Sequence, residues 1–374
     1  MIEIAAYYYF IFWFIVLLFT VDKFDTINRC QNYMILYKRD NYIPLIAFIA
    51  FLIIFLGFRP ISGYYFGDTS NYAASYKMLQ VYGAFDAEGS TELGGDWLFN
   101  YVMKSCAPIM PVSCFFVIVI FFYIVMMYMG CRKLDNWHGT TLMLFCLGAF
   151  SFYSYAVNGI RNGVACSFVI MAIAGVCKGE RIMPIALSII AISCHKSTAL
   201  PLACMFFTFF VRNPKYMYAV WLGAIFASLL FGDAITSVLS LVSYDERLTS
   251  LNMSGEEMSE LLEIEVSNSF RWDFLLYSSM PILLGAYTLF VRKIYNNTYL
   301  ILLGTYIYAN AFWILVIRDI FSNRYAYLSW FLYPIVLAYP LLNLPVFEKD
   351  HSQKAALILL AHFGFTTIMW MLGK

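Results

Sequence analysis

Apolar residues fall in twelve runs broken by short polar stretches, near 4–20, 42–58, 112–130, 141–157, 160–177, 182–195, 197–211, 216–231, 272–291, 298–317, 324–340 and 355–372. About 20 helical residues cross a hydrocarbon layer of about 30 Å. The pattern therefore predicts an all-α polytopic membrane protein with about 12 (10–14) transmembrane helices. Several runs are shorter than a full crossing, and the 182–211 pair also reads as a re-entrant or broken element. No internal repeat and no Pro/Gly/Ser linker divides the chain, so residues 1–374 read as a single transmembrane domain.

The polar breaks orient the runs. Alternate breaks hold Lys23, Arg29, Lys38 and Arg39; Arg132 and Lys133; Lys178 and Arg181; Arg212 and Lys215; Arg292 and Lys293; Lys349 and Lys354. An excess of Lys and Arg marks cytoplasmic loops, which places these breaks inside and both termini outside. Glu3 precedes the first run and no basic residue follows until Lys23, so the run reads as a retained helix and not a cleavable signal. Two extracytoplasmic loops are then long, about 59–111 and 232–271. The second carries Ser254-Gly255-Glu256-Glu257, a capping-box pattern, before Met258, Leu261, Leu262 and Ile264. It reads as an amphipathic lid helix or as a solvated connector.

Composition agrees with this picture. Hydrophobic residues make up 62% and charged residues 13%, against about 25% charged in a soluble domain. A net charge of +1 does not point to nucleic-acid binding. The nine cysteines are scattered, mostly inside apolar runs, with neither C-x-x-C nor H-E-x-x-H, and read as small core residues without metal or disulfide.

Against that background, Arg59, Asp68, Arg161, His195, Lys196, Arg318 and Arg324 stand out at or beside the ends of apolar runs, all on the predicted outer side. A charge near hydrocarbon costs about 2.5–3.5 kcal/mol at a helix centre, so such residues usually serve a site. Their sign points to an anionic substrate. Each also has a plainer reading. Arg59 serves equally as an interface anchor, Asp68 as a turn or N-cap residue, His195 as a structural histidine and Lys196 as an anchor. Arg318 and Asp319 read also as a local ion pair. Arg161 and Arg324 are harder to set aside, because an arginine opening a helix opposes its dipole unless an anion lies there. Histidine accepts a proton near neutral pH, as a hydroxyl nucleophile requires, and arginine's fork suits phosphate.

Taken in order, these segments resemble the EpsG-like branch of the Wzy-type bacterial polysaccharide polymerases, which build O-antigen and capsule. The arginine and Gly-Asp turn of that group resemble Arg59, Gly67, Asp68 and Tyr72; its Glu, Gly, aromatic and Asn stretch resembles Glu92, Gly94, Trp97 and Asn100. Its Arg-Gln-x-x-Ala helix start is similar to Arg161-Asn162-Gly163-Val164-Ala165, with Asn replacing Gln. Its His turn resembles His195-Lys196-Ser197-Thr198-Ala199, with one extra residue before Ala, and its late Asn-Arg helix resembles Asn323-Arg324-Tyr325-Ala326-Tyr327.

The resemblance implies a metal-independent glycosyltransferase of GT-C-like fold, without cofactors, at the outer face of the bacterial cytoplasmic membrane. Its donor and acceptor would be polyprenyl-diphosphate-linked oligosaccharides, with a flippase and a chain-length regulator as partners. Asp68 and His195 are the candidate catalytic residues, with Asp68 favoured as general base. Arg161, Arg324, Arg318 and Arg59 are the candidate diphosphate contacts. Lys196, Tyr72, Trp97 and Arg271 are further candidate substrate contacts, and Tyr64, Tyr65 and Trp97 read as sugar-stacking surfaces or equally as members of the interface belt. Rival readings are an O-antigen ligase, a lipid-linked sugar transporter and a membrane O-acyltransferase. A ligase usually has a larger outer domain, a transporter should show repeat symmetry, and an acyltransferase needs its histidine reached from the inner face.

Overall fold

The computed structural model describes residues 2–37, 39–86, 96–242, 270–319 and 322–371. Among them every regular element is a helix. The helices are α1 (Ile2–Asn28), α2 (Ile43–Gly57), α3 (Gly63–Phe66), α4 (Thr69–Asp86), α5 (Trp97–Cys106), α6 (Val112–Leu134), α7 (Gly139–Leu147), α8 (Phe150–Val157) and α9 (Ile160–Cys177). There follow α10 (Ile182–Cys194), α11 (Ala199–Phe210), α12 (Pro214–Val242), α13 (Trp272–Ala286), α14 (Asn297–Leu315), α15 (Ser322–Trp330), α16 (Tyr333–Asn343) and α17 (His351–Met371).

Each of the twelve apolar runs coincides with helix. Among the described residues six helices are long and apolar enough to cross a membrane, or seven if the bent pair α7–α8 counts as one. Their outward faces are those of a multi-pass membrane protein. On α10, Ile182, Ile185, Ile189 and Ile192 form an exposed stripe at helical spacing, which lipid covers and water would not.

Two details depart from the sequence reading. Residues 141–157 bend by 73° between α7 and α8, at Gly148 and an extended Ala149 (φ −81°, ψ 146°). Glycine there lowers the cost of leaving the helix. The stretch read as an outer loop, 59–111, is also mostly helical, as α3, α4 and α5. Tyr72, Tyr76 and Leu79 bury one face of α4, a helical spacing that outweighs the polar composition. In the other long loop α12 runs on to Val242, and Ser254–Ile264, with the lid reading, lies outside the described residues. So do Glu92 and Gly94.

The chain forms two compact units, Met1–Ala199 with Ala338–Lys374, and Leu200–Leu337. In the first, α6 and α9 run parallel in close contact. A Cβ on Gly130 would stand 2.7 Å from Ile170 Cγ2, so the helices meet where glycine leaves room. A Cβ on Gly57 would likewise lie 2.8 Å from the Val117 backbone, fixing α2 against α6. α1 and α17 pack through Trp13 and Phe363, and His362 bonds the Phe145 carbonyl of α7 at 3.0 Å.

In the second unit, Trp221 Nε1 donates to Asn310 Oδ1 at 2.9 Å, joining α12 to α14. Pro281 interrupts the hydrogen-bond ladder of α13, and hydroxyls of Tyr218 and Tyr306 donate to the nearby carbonyls of Ile282 and Ser278, both at 2.7 Å. Trp330 sits fully buried among Phe274, Tyr277, Trp313 and Tyr327.

Candidate functional site

The first unit brings together side chains from four separate segments, and Asp96 is their hub. This residue precedes α5, where aspartate normally caps the helix, yet it makes no side-chain cap bond. A lost cap costs about 1 kcal/mol. The carboxylate, 1% exposed, turns elsewhere. Its Oδ2 lies 2.9 Å from His195 Nδ1 and accepts from Arg161 Nη1 at 2.9 Å, while Oδ1 accepts the Lys196 backbone N–H at 3.1 Å. Arg161 Nε donates to the Tyr72 hydroxyl at 2.8 Å.

Local structure explains how these residues arrive. α10 ends at Cys194, and His195 is extended (φ −157°, ψ 114°), so its ring leaves the helix axis and a short 3-10 turn, Lys196–Thr198, leads into α11. The Thr198 hydroxyl closes that turn on the His195 carbonyl at 2.8 Å. Arg161 lies in the first turn of α9, which holds no acidic residue of its own. Asp96 supplies the opposing charge that the helix dipole leaves wanting. Gly163 allows this start to tuck under α8, since a Cβ there would stand 3.0 Å from the Tyr155 backbone oxygen.

Burial pushes the Asp96 carboxyl up. The bond and charge of His195, the Lys196 N–H and the Arg161 charge outweigh it, and Asp96 sits below the usual carboxylate range. It is therefore ionised at neutral pH. An ionised Asp96 accepts from Nδ1 of His195, and in the neutral ring this tautomer places the lone pair on Nε2. Among the described residues neither Nε2 of His195 nor Nη2 of Arg161 has a hydrogen-bond partner.

Asp68 is exposed and its backbone N–H donates to Asn158 Oδ1 at 2.9 Å. Gly67 makes this turn possible. Its φ is +54°, and a Cβ would lie 2.2 Å from the Asn158 side-chain oxygen. The turn is thereby tied to the segment that opens α9, and Asp68 begins the turn of α4 that carries Tyr72.

Arg59 is 3% exposed and turned into the protein. It donates to the Leu56 carbonyl at 2.8 Å and the Thr69 hydroxyl at 3.1 Å, and lies 4.8 Å from the centre of the Phe116 ring. Thr69 passes the link on to the Val157 carbonyl at 2.7 Å. Trp97 and Tyr64 are 62% and 86% exposed. In the second unit, Arg271 pairs in bidentate fashion with Asp273 at 3.0 and 2.8 Å, Arg318 packs against Gly232 and Arg324 is exposed.

The sequence reading singled out Arg161, His195, Lys196 and Tyr72, which the fold joins, and missed Asp96, which joins them. In Gly94-Gly95-Asp96-Trp97 the aspartate looks like an ordinary loop-to-helix cap. Its partners lie 65 and 99 residues away, and no local spacing connects them. An apolar cavity of about 170 Å³ adjoins the cluster between α5, α6, α9 and α10, with Phe99, Val164 and Cys194 among its walls.

Neither the curated proteins nor the solved structures contain a match to this chain. The EpsG family does match, over residues 42–373. That span includes nearly the whole chain and every residue of the cluster, and the protein belongs to the EpsG family of Wzy-like polysaccharide polymerases and exopolysaccharide biosynthesis proteins.

Proposed function

We propose that the protein is a glycosyltransferase that polymerises lipid-linked oligosaccharide repeat units, with His195 as general base and Arg161 as diphosphate contact. The observation that carries this is the single carboxylate of Asp96, which holds both residues while Nε2 and Nη2 stay available. The acceptor hydroxyl gives its proton to His195 Nε2, and its oxygen attacks the anomeric carbon of the donor. The bond from that carbon to the diphosphate oxygen breaks, and polyprenyl diphosphate leaves with the electron pair. Asp96 stabilises the imidazolium that forms, and Arg161 takes up charge on the leaving group. The Asp–His order resembles that of catalytic triads, in which the acid fixes the tautomer and does not itself take the proton.

This reverses the preference for Asp68. Asp68 is exposed and its side chain makes no hydrogen bond to the Asp96 cluster, so it fits better as a contact to substrate. Arg59 fits a strut that ties α2 to α4 and α8, because its guanidinium is already engaged. Arg318 and Arg324 keep a phosphate role, and Arg271 a lesser one, each to be judged by its own substitution. Lys196, Tyr72 and Trp97 stay substrate contacts. The apolar cavity suits the first isoprene units of a carrier lipid.

The wider reading keeps about twelve spans, a GT-C-like fold, an undecaprenyl-type carrier, the outer face of the cytoplasmic membrane, outward termini, and a flippase and chain-length regulator as partners. Cells lacking the protein should lose the ladder of polymer lengths on gels while single repeat units are still exported. An unchanged ladder would overturn the polymerase reading.

A further inference from the structure

A second cavity, of about 350 Å³, lies in the first unit at the far end of α6 and α9 from Arg161. Glu180, three residues beyond α9, pairs with Lys133 in the last turn of α6 at 2.5 Å, and His138 on the cavity wall follows directly. The size falls within the range of small-molecule sites. None of its lining residues belongs to the Asp96 cluster.

Its polar wall divides into groups the protein satisfies itself and groups it leaves open. Asp40 is fully used: it pairs with Lys23, accepts from the Thr140 hydroxyl, and accepts from Thr141 N and Oγ1 at 2.9 and 2.7 Å. His138 is held by Asp135 and the Ile35 carbonyl, both at 2.9 Å. Two opposite charges remain, Asp22 on α1 and Arg39 before α2. Both are exposed, and neither has an ion-pair partner among the described residues. Much of the rest of the wall is apolar, including Phe19 and Leu45, and the flanking helices expose Leu18, Ile43 and Ile46.

We propose that this cavity binds the headgroup of a phosphoethanolamine lipid, its phosphate on Arg39 and its ammonium on Asp22. A zwitterion answers both open charges, whereas a free phosphate or a purely anionic headgroup would set its charge against Asp22. The apolar wall between lipid-facing helices suits a ligand that carries hydrocarbon, which favours a lipid over a soluble zwitterion. The site is independent of the reaction proposed above, and either can fail without the other.

The test uses the full chain purified in detergent, stripped of lipid and returned to phosphatidylethanolamine, phosphatidylglycerol or phosphatidylcholine, with retained lipid counted by native mass spectrometry. The expected result is one phosphatidylethanolamine held in preference to the other two. Asp22→Asn should remove that preference by about tenfold, and Arg39→Gln should weaken all three lipids, one charge-assisted bond being involved in each case. Thermal midpoints of the stripped variants, expected to equal the parent's, exclude misfolding as the cause. Equal retention of the three lipids, or preference unchanged in Asp22→Asn, would overturn the proposal. Displacement of the lipid by millimolar free phosphoethanolamine would assign the site to a soluble zwitterion instead.

Discussion

At the scale of single residues, Asp96, His195 and Arg161 form one hydrogen-bonded unit, and under the proposed mechanism substitution should separate orientation from charge. Asp96→Asn keeps the shape but offers His195 Nδ1 no anion, so the histidine is no longer held in the tautomer with a free Nε2. Polymer formation should fall by roughly 10²–10⁴-fold with protein levels retained, measured as chain-extension rate in membranes. Normal extension by this variant would remove Asp96 from the mechanism. The depressed carboxyl of Asp96 also has a pH signature. Its contribution to stability is complete above its unfolded value of about 3.9 and is lost as pH falls through the lower folded value. Arg59 gives the contrasting case. Arg59→Met removes charged hydrogen bonds worth about 1.5–3 kcal/mol each, so folded yield should drop while the surviving protein keeps its specific activity. Loss of activity at normal yield would return Arg59 to the list of substrate contacts.

Among elements, the junctions carry the site, and the helices carry the junctions. The turn at Gly67, the Asn158–Gly159 link and the extended His195 are each a break between helices that sets one candidate side chain. Gly67→Ala meets both a positive φ and the Asn158 side chain at 2.2 Å, strain of about 1–3 kcal/mol. Because Asn158 stands three residues before Arg161, extension should slow more than the thermal midpoint falls. A midpoint loss with full activity would show that the turn is only structural. The apolar runs were legible as helices because hydrophobicity along the chain is a local property. The break at Gly148 and the helices within 59–111 were harder to read, since the first depends on what packs around the bend and the second on a buried face set in a polar, tyrosine-rich stretch.

For the molecule as a whole, a second polar network fastens the first unit at its other end, where Asp135 and Asp40 lie below the usual carboxylate range. Burial opposes both shifts; His138 and Asn343 lower Asp135, and Lys23, Thr140 and Thr141 lower Asp40. Burial pushes His138 down, but the bond and charge of Asp135 raise it overall. The histidine's contribution is therefore complete below pH of about 6.5 and lost as pH rises through its folded value. The carboxylates' contribution is lost only in acid. The thermal midpoint should decline on the alkaline side in the parent protein and stay flatter in Asp135→Asn; equal alkaline limbs would dismiss His138 as the cause. Among the described residues no three His, Cys, Asp or Glu side chains are grouped as a metal site requires. The proposed scheme routes no step through a metal, so on that scheme chain extension should persist in excess EDTA, and restoration by an added divalent ion would require the scheme to be redrawn.

The sequence by itself determined that this is a helical multi-pass membrane protein, because the length and oiliness of each run decide locally whether it stays in water. It also marked Arg161 and His195, since a charge beside hydrocarbon is costly wherever the chain goes. Only the tertiary structure decided that Asp96 joins them and that Arg59 turns inward. Those outcomes rest on bonds between segments 65 to 99 residues apart for Asp96 and 98 apart from Arg59 to Val157, and such distances are closed by packing alone.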